Sequence, residues 1–189
     1  MQHHLEIEYK TLLTLEDYRR LLPLFDDTVA IRQTNHYLET ANADIKRAKM
    51  SLRIRTFSNK AELTLKIPKK VGNEEYNQTL TLTQAQQVLD QLKLPEGQIL
   101  DLLMAHHVPL DQLKVLGSLT TTRLEKAFPI GLMALDDNTY SGKQDYELEL
   151  EVEDAKKGKE DFNRFLAQHG ISFTYAKSKV ARFVETLHS

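Results

Sequence analysis

Cysteine is absent from this chain of 189 residues, which excludes disulfides, thiolate nucleophiles and cysteine-held zinc. An excess of charge of one sign is missing too. The 25 Lys and Arg stand against 27 Asp and Glu, a net charge of -2. Nothing in that balance draws the chain to nucleic acid or to an anionic membrane, so a bound anion requires locally concentrated positive charge. No stretch reaches the ~20 consecutive apolar residues that a membrane span needs. The opening MQHHLEIEYK lacks a basic segment followed by an apolar one, so no export signal is expected and the cytoplasm is the default location. Internal repeats, low-complexity tracts and long linkers are also missing. What remains, 41% hydrophobic and 28% charged residues, is ordinary for a folded protein and supports one domain over residues 1–189.

Strand signals dominate what is there. Leu5, Ile7 and Tyr9 alternate with Glu6, Glu8 and Lys10, a period of two over His4 to Thr11. Thr14 with Asp17 resembles a helix N-cap, and Leu15, Tyr18, Leu22 and Phe25 follow near helical spacing. Further strands are expected at 28–39, 50–57, 60–67 (closed by Pro68) and 74–82, then at 118–128, 131–139 and 145–153. Between the two groups, residues 83–106 have helical periodicity broken by Pro95 and Gly97 and predict two short helices. A helix from Lys159 to His169 is expected to stop at Gly170, and a final helical piece lies between Tyr175 and His188. The pattern is that of an α+β fold with mostly antiparallel strands and a helical insertion around 83–106, a barrel being favoured over a sandwich.

The polar faces of these strands are sorted by sign. Glu6 and Glu8 stand on the first strand; Glu147, Glu149 and Glu151 share one side of the last. Arg53, Arg55, Lys66 and Arg123 stand on strands between them. Three glutamates in a row repel one another, which water tolerates and cations among them would offset. If a closed sheet turned these faces inward, carboxylates suited to Mg²⁺ or Mn²⁺ would meet guanidinium forks that match phosphate oxygens. If the faces were solvated, the same pattern would only discourage edge-to-edge aggregation. Periodicity leaves both open.

The order of the segments resembles a known family. Glu6-Ile7-Glu8-Tyr9-Lys10 looks like the ExExK signature of CYTH domains, the triphosphate tunnel metalloenzymes. It is followed in family order by Tyr37-Leu38-Glu39, Leu52-Arg53-Ile54-Arg55, Leu65-Lys66-Ile67-Pro68, Thr122-Arg123, Leu135-Asp136, the strand Tyr146 to Glu151, and Lys177-Ser178-Lys179. The resemblance covers nearly the whole chain. It implies an eight-stranded antiparallel tunnel barrel that uses Mg²⁺ or Mn²⁺ to hydrolyse a small triphosphate, with neither nucleic acid nor membrane as a partner. On that resemblance Glu6, Glu8, Asp136, Glu147, Glu149 and Glu151 hold metal. Lys10, Arg53, Arg55, Lys66 and Arg123 hold the triphosphate, and Lys177, Lys179 and Arg182 close one tunnel mouth. Glu8, Lys10, Arg55 and Lys66 carry the catalysis, while Glu39 and Glu75 are supporting partners or ordinary ion pairs. Relatives also include thiamine triphosphatases and class IV adenylyl cyclases, and a binder without turnover is a further alternative. Two departures bear on this: Thr121 stands where many members have a basic residue, and Glu125 takes another inward position. His3, His4, His106 and His107 are expected to be surface residues, the first two ahead of the first strand.

Overall fold

The computed structural model describes residues 2–188. Its strands are β1 (Gln2–Leu13), β2 (Ile31–Thr40), β3 (Ser51–Thr56), β4 (Ala61–Pro68), β5 (Asn73–Leu80), β6 (Leu113–Phe128), β7 (Gly131–Tyr140) and β8 (Lys143–Val152). Its helices are α1 (Leu15–Leu21), α2 (Asp44–Arg47), α3 (Leu82–Gln91), α4 (Gln98–Ala105), α5 (Ala155–Gln168) and α6 (Lys179–Glu185). The strands form an eight-stranded antiparallel barrel, closed in the order β1-β5-β4-β3-β2-β6-β7-β8. The chain divides into two compact units, one built on Gln33–Ser118 with the first residues of β1, the other on Glu6–Arg32 and Leu119 onward.

In the first unit, β2 to β5 run as consecutive hairpins. Their registers pair Tyr37 with Arg53, Arg53 with Thr64, and Thr64 with Asn77. Leu38, Leu52, Ile54, Leu63 and Leu65 point to the other side and pack with Ala85, Val88, Ile99 and Leu103 of α3 and α4. Each fully buried Leu or Ile contributes about 1.5–3 kcal/mol relative to exposure, so this layer fixes the register of the whole hairpin series. The helix pair begins at a capping box, in which Thr81 accepts from the Gln84 amide and the Gln84 side chain answers the Thr81 N–H. α2 is a single turn in the expected polar loop. The Glu39 carboxylate accepts the N–H groups of Thr40, Ile45 and Lys46 at 2.8, 3.0 and 2.9 Å.

In the second unit, β6, β7, β8 and β1 are adjacent, and Lys10 lies opposite Glu149 and Glu8 opposite Glu151. Met133, Leu135, Leu148 and Leu150 pack under α1, the short 3-10 turn that follows it and α5, through Leu21, Phe25, Phe162, Phe165 and Leu166. Thr14 caps α1 as its spacing predicts, accepting from the Asp17 amide at 3.1 Å.

Two of the boundaries that differ from the sequence reading fall near glycines. β6 begins at Leu113 rather than 118, and Gly117 (φ 143°) lies inside it. α5 begins at Ala155 rather than Lys159, with Asp154 as N-cap and Gly158 within its first turns. A Cβ on Gly158 would sit 2.5 Å from Val152 Cγ2, so the glycine is there for close approach to β8 and not as a helix breaker. His3 and His4 lie in β1 and not ahead of it; the His3 ring stacks on Tyr76 with centroids 5.4 Å apart.

Candidate active site: buried strand faces sorted by charge

The question that periodicity left open is answered by burial. Helices cover the apolar faces, and the charged faces are half-buried or buried: Asp136 and Glu147 are fully buried, and Glu6, Glu149 and Arg182 nearly so. A solvated face does not look like this. Ionic groups withdrawn from water must find partners, because an isolated buried charge is severely destabilising.

In the second unit the partners form one network. Asp136, Glu147 and Glu149 bring carboxylate oxygens within 4.8 Å of one another. Arg123 grips Asp136 through two bonds, Nε to Oδ1 at 2.8 Å and Nη2 to Oδ2 at 2.7 Å, and reaches Glu149 at 2.6 Å. Lys179, the first residue of α6, extends its ammonium into the same group, 2.9 Å from Asp136 and 2.5 Å from Glu149, with Glu147 also in contact. Arg182 joins Glu147 at 2.8 Å and Asp145 at 3.1 Å. On β1, Lys10 donates to Glu8 at 2.6 Å.

The ionisation of the network follows from its crowding. Burial opposes the charge on Asp136, but Arg123 and Lys179 outweigh it and hold its carboxyl well below the usual range. Burial raises Glu149, reinforced by Glu8 and Asp136 against Arg123. Burial brings the Lys179 ammonium down to about 7 although Asp136 supports its charge, because Arg123 and Lys10 repel it. Burial also works against the charge of Lys10, yet Glu8 and Glu149 raise it.

In the first unit the balance is reversed. Arg53, Arg55 and Lys66 share a face with two acids, Glu62 and Glu75. Arg55 Nε donates to Asn35 Oδ1 at 2.9 Å, and its Nη1 stands 3.4 Å from Glu62. Lys66 lies 3.2 Å from Glu75, which also accepts from Asn77 at 2.9 Å. Burial would raise Glu75, but Lys66 and Arg53 hold it down at about 2. A carboxylate depressed from 4.5 to about 2 contributes stability that is fully present above pH 4.5 and lost as the pH falls toward 2. Glu75→Gln is therefore expected to lower the unfolding free energy at pH 7 by on the order of 2–3 kcal/mol, the difference shrinking as the pH approaches 2. Urea titrations at pH 7, 4 and 2.5 measure it; a pH-independent difference would show that the ion pair does not stabilise the fold.

The structure gathers Asp136, Glu147 and Glu149, and surrounds them with Arg123, Lys179 and Arg182. Glu151 lies opposite Glu8 in the β1–β8 register and outside the group of three. Lys177 stays at the surface, paired with Glu185. Glu39 caps α2. Thr121 is fully buried and donates to Asn138 at 2.6 Å, while Glu125 stands 3.7 Å from Arg123. Sorting by sign passed over Gln33 and Asn35 because they are neutral; their shared parity with Tyr37 on β2 was the available signal.

The CYTH domain model matches residues 4–184, and the chain belongs to that family. Its members use a divalent metal, and the donor set fits one: three carboxylates are hard oxygen ligands. Among curated proteins, the chain is 35% identical over 187 residues to YjbK of Bacillus subtilis, a candidate triphosphatase, covering 98% of this chain and 97% of that one. A solved candidate adenylate cyclase from Bacillus halodurans is 34% identical with a TM-score of 0.91, covering 97% of this chain and 99% of that one. HpAC1 of Hippeastrum, described as a candidate adenylyl cyclase with a dominant triphosphatase activity, is 25% identical with a TM-score of 0.82 and 95% of each chain covered.

Proposed function

We propose that this chain hydrolyses a small triphosphate, inorganic or organic, with Mg²⁺ or Mn²⁺, in a cytoplasmic setting and as a single domain over residues 1–189. The observation that carries the reading is a buried trio of carboxylates, Asp136, Glu147 and Glu149, in a fold whose remaining charged face presents Arg53, Arg55 and Lys66. Names of relatives support it, and the family match runs through both compact units.

Asp136, Glu147 and Glu149 would hold metal, with Glu6, Glu8 and Glu151 completing its surroundings. When bound, the metal supplies charge neutralisation on phosphate oxygens and a more acidic water. The protein's own part is positioning and electrostatics, because phosphoryl transfer asks for little covalent chemistry. Lys10, Arg53, Arg55, Lys66 and Arg123 would take the oxygens of the triphosphate. Glu8 holds Lys10, and Asn35 holds Arg55, so both cations are oriented before substrate arrives. Lys179 and Arg182, carried on α6, would add positive charge where the acidic trio lies; Lys177, two residues earlier, would meet substrate only by leaving Glu185.

The test is a panel of tripolyphosphate, thiamine triphosphate, ATP and diphosphate, each with Mg²⁺ and with Mn²⁺. Phosphate release from at least one triphosphate and none from diphosphate is expected. The name of the Bacillus halodurans relative favours a second reading, cyclisation of ATP. Cyclic AMP formed with Mn²⁺ and ATP, without phosphate release, would establish that reading. Tight metal-dependent binding with neither product would make the protein a sensor, a result to which the neutral Thr121 would be relevant.

A further inference from the structure

Asn35, Asn77 and Asn138 stand on the charged faces, and the last two use both ends of their amides. Asn77 accepts from the Thr64 hydroxyl at 2.7 Å and donates to Glu75 at 2.9 Å. Asn138 accepts from Thr121 at 2.6 Å and donates to Asp145 at 3.0 Å. Asn35 is different. Its Oδ1 accepts from Arg55 Nε at 2.9 Å, but its Nδ2 is buried with no hydrogen-bond partner, and the residue is wholly out of solvent. Reversing the amide does not help, because Nδ2 would then face the Arg55 Nε–H, donor against donor.

Asn35 has company. Two residues earlier on the same face of β2, Gln33 is buried and its Nε2 lacks a partner. On the adjacent β3, Arg53 Nε lacks one as well. These three buried orphans are N–H donors on neighbouring strands. The unpartnered amide oxygen of Gln78 lies on the opposite face of β5 from Glu75 and Asn77, so it does not serve them. Buried donors left unmet are costly, and native proteins rarely keep several together.

We infer that Gln33 and Asn35 form, with Arg53 Nε, a shelf of donors for the anionic oxygens of the triphosphate. The inference rests on the triphosphatase reading and adds two neutral binding residues to it. The open ends of the shelf are donors, so its ligand must present acceptor oxygens; an ionised phosphoryl group does, whereas an amine does not. Asn35 also acts as a positioning residue, since its Oδ1 fixes the plane of Arg55. Neutral donors add hydrogen bonds to phosphate without adding to the repulsion among Arg53, Arg55 and Lys66.

The experiment is calorimetric titration of tripolyphosphate in the presence of Mn²⁺, with thermal melts of the ligand-free proteins. Gln33→Met, close in shape and without the donor, is expected to weaken binding about tenfold or more while leaving the melting temperature unchanged or raised. A purely structural glutamine would give the reverse, a lower melting temperature and unchanged affinity. Asn35→Ala is expected to weaken binding at least as much. Its effect should persist in an Arg55→Lys background, which keeps the charge and loses the Nε–H; disappearance there would mean that Asn35 acts through Arg55 alone and would overturn its direct role. Wild-type affinity in both Gln33→Met and Asn35→Ala, with binding lost in Arg55→Ala, would overturn the shelf and leave the triphosphatase reading standing, the donors being served by buried water. A folded wild type that binds none of tripolyphosphate, thiamine triphosphate and ATP would bring both down.

Discussion

Arg55→Ala is expected to reduce metal-dependent phosphate release from tripolyphosphate by about 10²–10³-fold, the magnitude seen when one preorganised donor to a transition-state oxyanion is removed. Asn35 and Glu62 orient Arg55 from the neighbouring strands. Asn35 takes its Nε at 2.9 Å, while Glu62 approaches Nη1 only to 3.4 Å. The fold should survive, because β3 is anchored from its other face by Leu52 and Ile54. Phosphate release and a thermal melt on the same sample measure both halves of the expectation. Activity within about threefold of wild type would remove Arg55 from the mechanism, a change of under 1 kcal/mol in the barrier. Glu8→Gln, which removes the carboxylate charge 2.6 Å from the Lys10 ammonium, is expected to act in the same direction.

Asp136→Asn tests the acidic trio, and its effect falls on stability as well as on metal binding. The carboxylate is fully buried and is the shared partner of Arg123 and Lys179. Exchanging it for an amide removes the bidentate partner of Arg123 and one of the three carboxylates around Lys179, and breaking a buried pair in this way costs about 3–5 kcal/mol. Denaturant titrations with and without Mn²⁺ separate the contributions. Wild type should gain roughly 2.7 kcal/mol when the metal is present at a hundred times its dissociation constant. Asp136→Asn should start lower and gain far less. Adding Lys179→Met removes one of the two cations that Asp136 paired and is expected to recover part of the metal-free loss. An Asp136→Asn protein as stable as wild type would show that Arg123 and Lys179 do not depend on this carboxylate.

Several features of the site were visible in one dimension because they depend on parity alone. In a strand, residues two apart share a face, so Glu147, Glu149 and Glu151, or Arg53 and Arg55, had to point the same way whatever the fold. The helical insertion was legible from Pro95 and Gly97 dividing an apolar period. β6 and α5 start earlier than their periodicity shows, and within α5 the missing Cβ of Gly158 permits Val152 to approach.

Contacts between distant segments carried no such signal. Lys179 is 30 residues from Glu149 and 32 from Glu147, and only folding puts its ammonium among them while Lys177, two residues away, stays at the surface with Glu185. Glu39 has the same chemistry as Glu75, yet one caps a helical turn and the other pairs with a lysine. Asn35 and Gln33 could not be singled out by charge, since they have none.

The sequence by itself therefore determined which side chains share a strand face and that those faces differ in sign, because the backbone's two-residue repeat is local. Only the tertiary structure decided that the charged faces are half-buried or buried. Solvation of a carboxylate depends on everything packed around it, and in this chain helices cover the apolar sides while the network of Asp136, Glu147, Glu149, Arg123 and Lys179 takes the place of water on the other.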